Sequence, residues 1–128
     1  MIVDASAVIA IVLREPGAEE LAEKLRLADV KGIGAPTLVE AGFVLTARLG
    51  DSAAALMSEV LRRFDIRTVS FGEPHWREAL SAYVRYGKGR HPARLNFGDC
   101  MSYAVAKLAG SPLLFTGDDF TQTDVPSE

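Results

Sequence analysis

The sequence predicts an α/β fold in three layers, with a central parallel sheet of four to five short strands flanked by helices. Short apolar segments of strand length alternate along the chain with longer stretches whose apolar residues recur at helical spacing. Strands separated by helices form parallel sheets through right-handed crossovers that cover both faces. The chain has 128 residues, 48% of them hydrophobic and 24% charged, which predicts a single domain over residues 1–128.

The strands are predicted from apolar segments that end at turn residues or at helix starts. We expect four of them and, in the polar tail, one more short strand at Val125. The four are Met1–Val3, Gly32–Ala35, Ile66–Phe71 and Leu113–Thr116.

The helices are predicted from apolar spacing and from residues that favour helix starts and ends. Ser6 is expected to cap a first helix over Ala7–Leu13, and Thr37 to begin a longer helix that stops at Gly50. The other helices are expected after Gly17 through about Asp29, from Ser52 through Phe64, from about Pro74 to Tyr86, and from Asn96 or Phe97 to Leu108.

Composition argues against several classes of protein. The apolar run Ala7–Leu13 is far shorter than the roughly 20 residues that cross a bilayer, and it lacks the flanks of a signal peptide. The lone Cys100 can form no internal disulfide, which agrees with a reducing compartment. A net charge of −3 does not suit a cationic nucleic-acid coat. We therefore expect a cytoplasmic protein with no membrane contact.

One stretch of the chain is locally basic. Between Ala79 and Gly98 there is no acidic residue, whereas Arg85, Lys88, Arg90 and Arg94 are positively charged. Such a run is either a solvated loop or a contact for a phosphate backbone.

Four acidic residues occupy positions that this architecture brings to one edge. Asp4 and Asp118 follow predicted strands, while Glu40 and Asp99 lie in the first turns of predicted helices. In open α/β sheets the functional crevice lies beyond the carboxyl ends of the strands. We therefore expect these four side chains to converge.

Each acid also has a local structural explanation. Two of them lie at capping-box spacing, Glu40 after Thr37 and Asp99 after Asn96. Asp4 could accept bonds from the helix that follows it, and Asp118 or Asp119 could form a turn. Four unrelated caps and turns would not, however, explain a common edge.

Converging carboxylates require either protons or a cation, because two of them about 4 Å apart repel by roughly 4 kcal/mol at an effective dielectric of 20. Oxygen ligands without His or Cys favour Mg²⁺ or Mn²⁺, and both His75 and His91 are interpreted as structural or surface residues. Such a metal site suits phosphodiester hydrolysis. No phosphate-binding glycine loop or nucleophile elbow offers a competing site.

Four features occur in a characteristic order: "VDASA" at the start, the early-helix Glu40, "GDCMSYAVA", and "LLFTGDDFTQTD". Together they resemble the PIN-domain ribonucleases, specifically the VapC toxins of type II toxin-antitoxin systems. The resemblance spans nearly the whole chain. It implies a PIN-like domain, RNA cleavage by a metal-activated water, inhibition by a VapB antitoxin, and a homodimer.

By position, the resemblance makes Asp4 and Asp99 the principal Mg²⁺ ligands, with Glu40 and Asp118 completing the acidic site. Ser6 would orient Asp4 through a hydrogen bond, and Thr116 would act likewise near Asp118. Asp119 is adjacent, so either of this pair could face the metal, whereas Asp124 is expected to be structural. The basic residues Arg85, Lys88, Arg90 and Arg94 would contact RNA.

Two other kinds of domain with acidic sites do not fit the sequence. A receiver domain would need an acceptor aspartate and a later strand-end lysine, and a haloacid dehalogenase phosphatase would need a second acid where Ser6 stands. The remaining alternative is a non-catalytic interaction module that keeps only the fold. The apolar segments "AVIAIVL" and "TLVEAGFVLTARL" could serve the core, a dimer or an antitoxin groove.

Overall fold

A four-stranded parallel sheet lies at the centre of the structure, a computed structural model that describes all residues from 1 to 128. The strands are β1 (Ile2–Val3), β2 (Lys31–Gly34), β3 (Ile66–Val69) and β4 (Leu113–Leu114). Their order across the sheet is β3-β2-β1-β4. The strands are added outward from β1 to β2 and β3, and then β4 is added on the other side of β1. Such a reversal in strand order is a switch point, and it opens a crevice at the carboxyl ends of the strands.

Six helices cover the sheet. None of them is both long enough and apolar enough to span a membrane. A single 3-10 turn, Gly50–Ser52, joins the third helix to the fourth. The helices are α1 (Ala5–Val12), α2 (Ala18–Leu27), α3 (Ala35–Leu49), α4 (Ala53–Arg63), α5 (Glu73–Tyr86) and α6 (Phe97–Ala109).

The sheet separates two hydrophobic cores, which gives the three layers predicted from the sequence. Successive strand residues point to opposite faces, so Ile2 packs with α5 and α6 while Val3 packs with α1 and α2. Tyr103 is fully buried in the first core, and Leu25 in the second. The three-layer α/β prediction is therefore confirmed.

Two helix starts differ from the prediction. Ser6 does not cap the first helix: α1 begins at Ala5, and the cap is Asp4, whose carboxylate accepts the Ser6 N–H. Thr37 does not begin the third helix, because α3 starts at Ala35 and Pro36 occupies its first turn, where a missing N–H costs nothing.

The tail adds no fifth strand. Only an isolated parallel bridge connects it to β4, between Ser127 and Leu113. The third and fourth strands are also shorter than predicted, ending at Val69 and Leu114.

Helix α3 reaches both sides of the molecule, since it packs against α1, α4 and α6. Its start is possible because Gly34 has no side chain: a Cβ there would lie 2.9 Å from Cγ2 of Val105 in α6. This close approach places the first turns of α3 beside the start of α6.

Asp124 anchors the polar tail to α5 and α6. The buried Tyr103 hydroxyl donates to its Oδ1 at 2.7 Å, and Lys107 Nζ lies 2.6 Å from its Oδ2. The Arg85 guanidinium nitrogen Nη2 lies 3.7 Å from Asp124 Oδ2. The Lys107 and Tyr103 hydrogen bonds lower the pKa of Asp124 to about 2.

The charge of Asp124 should stabilise the fold only above its unfolded-state pKa. A lowered folded pKa means that this contribution is present above about pH 4 and is lost as the pH falls towards 2. Because the side chain is 38% exposed, we expect Asp124→Asn to cost only about 1 kcal/mol at neutral pH. Chemical denaturation at pH 6.5 and at pH 2.5 measures this, with exposed Asp29→Asn as control; a cost equal at both pH values would contradict it.

Candidate active site at the carboxyl edge of the sheet

Asp4 is the most firmly held acid of the site. It follows β1 directly and is only 5% exposed. Its Oδ2 accepts the Ser6 N–H at 3.0 Å and the Ser6 hydroxyl at 2.6 Å, and its Oδ1 accepts the Ser102 hydroxyl at 2.5 Å. The backbone N–H of Thr116, just beyond β4, donates to Ser6 Oγ at 3.1 Å. Donors from α1 and α6 thus fix the carboxylate, and the turn after β4 supports one of them.

Asp99 combines a capping role with a buried position. Its Oδ2 accepts the Asn96 N–H at 3.0 Å and its own N–H donates to Asn96 Oδ1 at 2.9 Å, which is the capping box anticipated for α6. Burial raises the pKa of Asp99 to about 7, in spite of the Asn96 hydrogen bond; the carboxylates of Asp119, Asp4 and Glu40 raise it further. This acid therefore lies within electrostatic reach of three others.

Glu40 extends from α3 towards the start of α6. Its carboxylate lies against Gly98, so closely that a Cβ at position 98 would overlap it. Burial, and then the charge of Asp4, raise the pKa of Glu40. The capping box between Thr37 and Glu40 does not form, because α3 starts two residues before Thr37.

Asp118 and Asp119 occupy an exposed turn after β4. Both line a cleft of about 370 Å³ together with Asp99 and Asn96. Of the two, Asp119 is the one whose charge raises the pKa of Asp99. The backbone carbonyl of Asp118 accepts both the N–H and the hydroxyl of Thr121, which shapes the turn.

The structure thus brings Asp4, Glu40, Asp99 and Asp119 into one electrostatic group, and Asp118 onto the wall of the same cleft. No three of the His, Cys, Asp and Glu side chains are arranged so that they could hold a metal ion together. The arrangement is a set of neighbouring carboxylates rather than a closed cage.

Two buried hydroxyls belong to this site and were missed in the sequence. Ser102, in α6, donates to Asp4, and its Oγ lies 3.2 Å from Thr37 Oγ1. Both residues are only 1% exposed. The sequence offered one hint for Ser102, which lies three residues after Asp99 and hence on the same helical face. Thr37 offered none, because its partner lies 65 residues away.

The basic stretch forms one wall of the same cleft. Lys88 and Arg94 line it together with Asp99, Asp118 and Asp119. Arg94 has a left-handed backbone with φ of 55°, a conformation that costs energy for a side chain of this size. Arg90 instead lies over the Tyr83 ring, 5.6 Å from its centre.

Three other basic or titratable side chains, Arg85, His91 and His75, have structural partners. Arg85 donates to the Tyr86 hydroxyl and approaches Asp124. His91 Nδ1 accepts the Ala93 N–H at 3.0 Å within the basic loop, and His75 Nδ1 accepts the Gly72 N–H at the start of α5.

Comparisons with known proteins agree with this architecture. The family model for the PIN domain matches residues 1–126. Ribonuclease VapC36 of Mycobacterium tuberculosis is 46% identical over 126 residues, which cover 98% of this chain and 91% of that protein.

Two solved structures share the fold at low sequence identity. VapC20 of Mycobacterium tuberculosis, described as a Sarcin-Ricin loop cleaving toxin, has a TM-score of 0.81 at 19% identity and covers 99% of this chain and 97% of its own. VapBC2 from Rickettsia felis, bound to a promoter DNA fragment, has a TM-score of 0.78 at 10% identity, with 99% and 96% covered. Together with the identity to VapC36 over nearly the full length, these matches confirm the predicted resemblance: the chain belongs to the PIN-domain family, among the VapC ribonucleases.

Proposed function

We propose that this chain is a Mg²⁺-dependent endoribonuclease and the toxin of a type II toxin-antitoxin system. One observation carries the proposal: the carboxylates of Asp4, Glu40, Asp99 and Asp119 gather at the carboxyl edge of the sheet, where burial, and then the charges of the other three acids, raise the pKa of Asp99 to about 7. A basic wall borders them in the same cleft. The ribonuclease names of the relatives support the same conclusion.

The donor chemistry of the site fits Mg²⁺, with Mn²⁺ as the alternative. All candidate ligands are carboxylate oxygens, and the neighbouring His91 is occupied by a backbone N–H. Mg²⁺ usually keeps several waters and uses only one or two carboxylates, so it does not require a cage of three side chains. Asp4 and Asp99 would hold it, with Glu40 and either Asp118 or Asp119 completing the set. When bound, it would supply Lewis-acid stabilisation of the phosphodiester oxygens and make water more acidic.

The protein's own residues divide the remaining work. Asp4 is fixed in orientation by three hydrogen bonds, from the Ser6 N–H, the Ser6 hydroxyl and the Ser102 hydroxyl. Glu40 has no hydrogen-bond partner in the protein, and burial raises its pKa, which makes it a stronger base than an exposed glutamate and the candidate to accept a proton from the attacking water. Neighbouring carboxylates repel one another when no cation is present, and a bound cation would relieve this repulsion.

The basic wall would hold the RNA backbone. Lys88 and Arg94 are exposed, take part in no ion pair, and lie in the same cleft as Asp99. Phosphate contacts by such cations position a nucleic acid without reading its sequence. Arg90 could add a contact from the neighbouring loop surface, whereas Arg85 is already paired with Asp124 and is the weakest candidate of the four.

Two exposed apolar surfaces are available for an antitoxin and for a second copy of this chain. The α5–α6 groove is lined almost entirely by apolar side chains, including Trp76, Leu80 and Phe97. The α3–α4 face exposes Val39 and Phe43. Apolar patches of this kind mark protein interfaces, so we include a VapB-type antitoxin and a homodimer in the proposal.

Removal of either principal carboxylate should abolish RNA cleavage. Protein purified free of antitoxin is incubated with total RNA and Mg²⁺, and the cleavage rate is followed on gels. We expect Asp4→Asn and Asp99→Asn to lower the rate by at least about 100-fold, because a lost ligand costs more than a lost ligand-orienting residue. Addition of EDTA should stop the wild type.

The matched control is Asp51→Asn, which removes an exposed acid from the turn between α3 and α4 and should cut normally. Cleavage that persists in both site variants would refute the site assignment. A wild type that binds a partner but never cuts RNA would favour a non-catalytic interaction module.

The metal-free protein should lose stability as the pH rises through the range in which Asp99 ionises. Its folded pKa of about 7 exceeds the unfolded value near 4, so the folded state binds more protons and the free energy of unfolding falls between about pH 4 and 7. The loss should be about 2 to 4 kcal/mol, and Asp99→Asn should remove it.

Denaturant titrations in EDTA at pH 5 and pH 8 measure this difference. Mg²⁺ at pH 8 should raise the unfolding temperature of the wild type and leave that of Asp99→Asn unchanged. If the wild type and Asp99→Asn lost the same stability between pH 5 and pH 8, the loss would not come from ionisation of Asp99, and this prediction would be contradicted.

The homodimer can be tested by light scattering at micromolar concentration. We expect the wild type to be a dimer. Leu80→Glu places a charge in the α5–α6 groove, and Phe43→Glu places one on the α3–α4 face. The substitution on the face that forms the dimer interface should produce monomers, because the new carboxylate would be buried there without a partner. Leu27→Glu, on the exposed surface of α2, serves as control. A wild type that is monomeric throughout would refute the homodimer.

A further inference from the structure

Both carboxylate oxygens of Asp4 accept hydrogen bonds, and their donors come from different parts of the sequence. The Oδ2 side is local, since Ser6 lies two residues away in the same strand-to-helix turn. The Oδ1 side comes from Ser102, which is 98 residues away in α6. The second contact therefore exists only when α6 has packed against the sheet.

The directions of the buried hydroxyl bonds can be worked out. A serine hydroxyl has one proton, and Ser102 gives it to the Asp4 carboxylate, which can only accept. The Thr37 hydroxyl must then be the donor in its contact with Ser102 Oγ. The bonds run in one direction, from Thr37 through Ser102 to Asp4.

This series of hydrogen bonds also determines which lone pairs of the Asp4 carboxylate remain free. A carboxylate offers about four acceptor positions, and three of them are filled, two on Oδ2 and one on Oδ1. The open position is on Oδ1, the oxygen that Ser102 holds. The orientation of the free lone pair is thus set by Ser102.

The hydroxyl groups of Thr37 and Ser102 are buried at positions where an apolar side chain would carry no desolvation cost. Each is only 1% exposed, at the contact of α3 with α6. A buried hydroxyl loses its bonds to water and recovers them only through partners in the protein. Here every buried side-chain polar atom is satisfied, and the recovered bonds end on a site carboxylate.

We propose that Ser102, supported by Thr37, is a positioning residue that aims the free lone pair of Asp4 Oδ1 at the metal ion. The inference rests on the proposed Mg²⁺ site. Neither residue would touch the ion or the RNA; each acts through Asp4. Residues that orient metal ligands in this way typically change metal affinity about 10- to 100-fold when they are removed.

The test uses Mn²⁺ as a probe, with its binding to metal-free protein followed by electron paramagnetic resonance. We expect Ser102→Ala to weaken Mn²⁺ binding about 10-fold or more. Thr37→Val keeps the shape of the side chain and leaves Ser102 free to donate, so it should weaken binding less. In the double variant Thr37→Val should add nothing, because its effect passes only through Ser102.

Stability and metal affinity must be measured separately, since Ser102→Ala leaves the Thr37 hydroxyl without its acceptor. The control is Thr123→Val, which removes a part-buried hydroxyl bonded within the tail and should lower stability without changing Mn²⁺ affinity. The cleavage rate at saturating Mn²⁺ should recover more fully in Thr37→Val than in Ser102→Ala.

The outcomes separate this inference from the proposed function. Wild type and Ser102→Ala binding Mn²⁺ equally well would overturn the positioning role and leave the metal site intact. Additive effects of the two substitutions would also overturn the role, because they would show that Thr37 acts independently. A wild type that binds no Mn²⁺ would refute the metal site itself, and the positioning role with it.

Discussion

The arrangement of the site depends on one constraint, which is that a buried carboxylate must be surrounded by donors. Asp4 is 5% exposed at the end of a central strand, where an unpartnered charge would be very costly. Its donors come from the start of α1 and from the middle of α6, and the turn after β4 supports one of them through Thr116. Satisfying this one acid therefore ties together three elements that surround the crevice.

Much of the fold could be predicted because it follows from local pattern. Apolar segments alternating with helical spacing were sufficient for three layers and a parallel sheet, and the capping box of Asn96 and Asp99 was visible as a spacing. The helix starts were harder. Ser6 and Thr37 both have the chemistry of a cap, but packing gave their hydroxyls other partners, Asp4 and Ser102.

The site could be predicted as a set of acids and not as a geometry. Strand ends and helix starts place Asp4 and Asp99 on one edge, and this depends on topology alone. The contact of Glu40 with Gly98, and the effect of Asp119 on the pKa of Asp99, depend on side-chain packing. So does the Thr37–Ser102 pair, since nothing near either residue indicates a partner 65 positions away.

The alternatives of cap and site residue are not exclusive in this protein. Asp4 caps α1 and Asp99 caps α6, so each acid lies at the positive end of a helix that favours its charge. Each gives part of its acceptor capacity to the backbone, and each keeps some free: Asp99 uses only Oδ2, and Asp4 has one open position on Oδ1. The helix ends partly offset the mutual repulsion of the acids, and the bonds hold them in fixed orientations. A cap is therefore a way of building a site from rigid elements, because the bonds that begin the helix also aim the remaining oxygen.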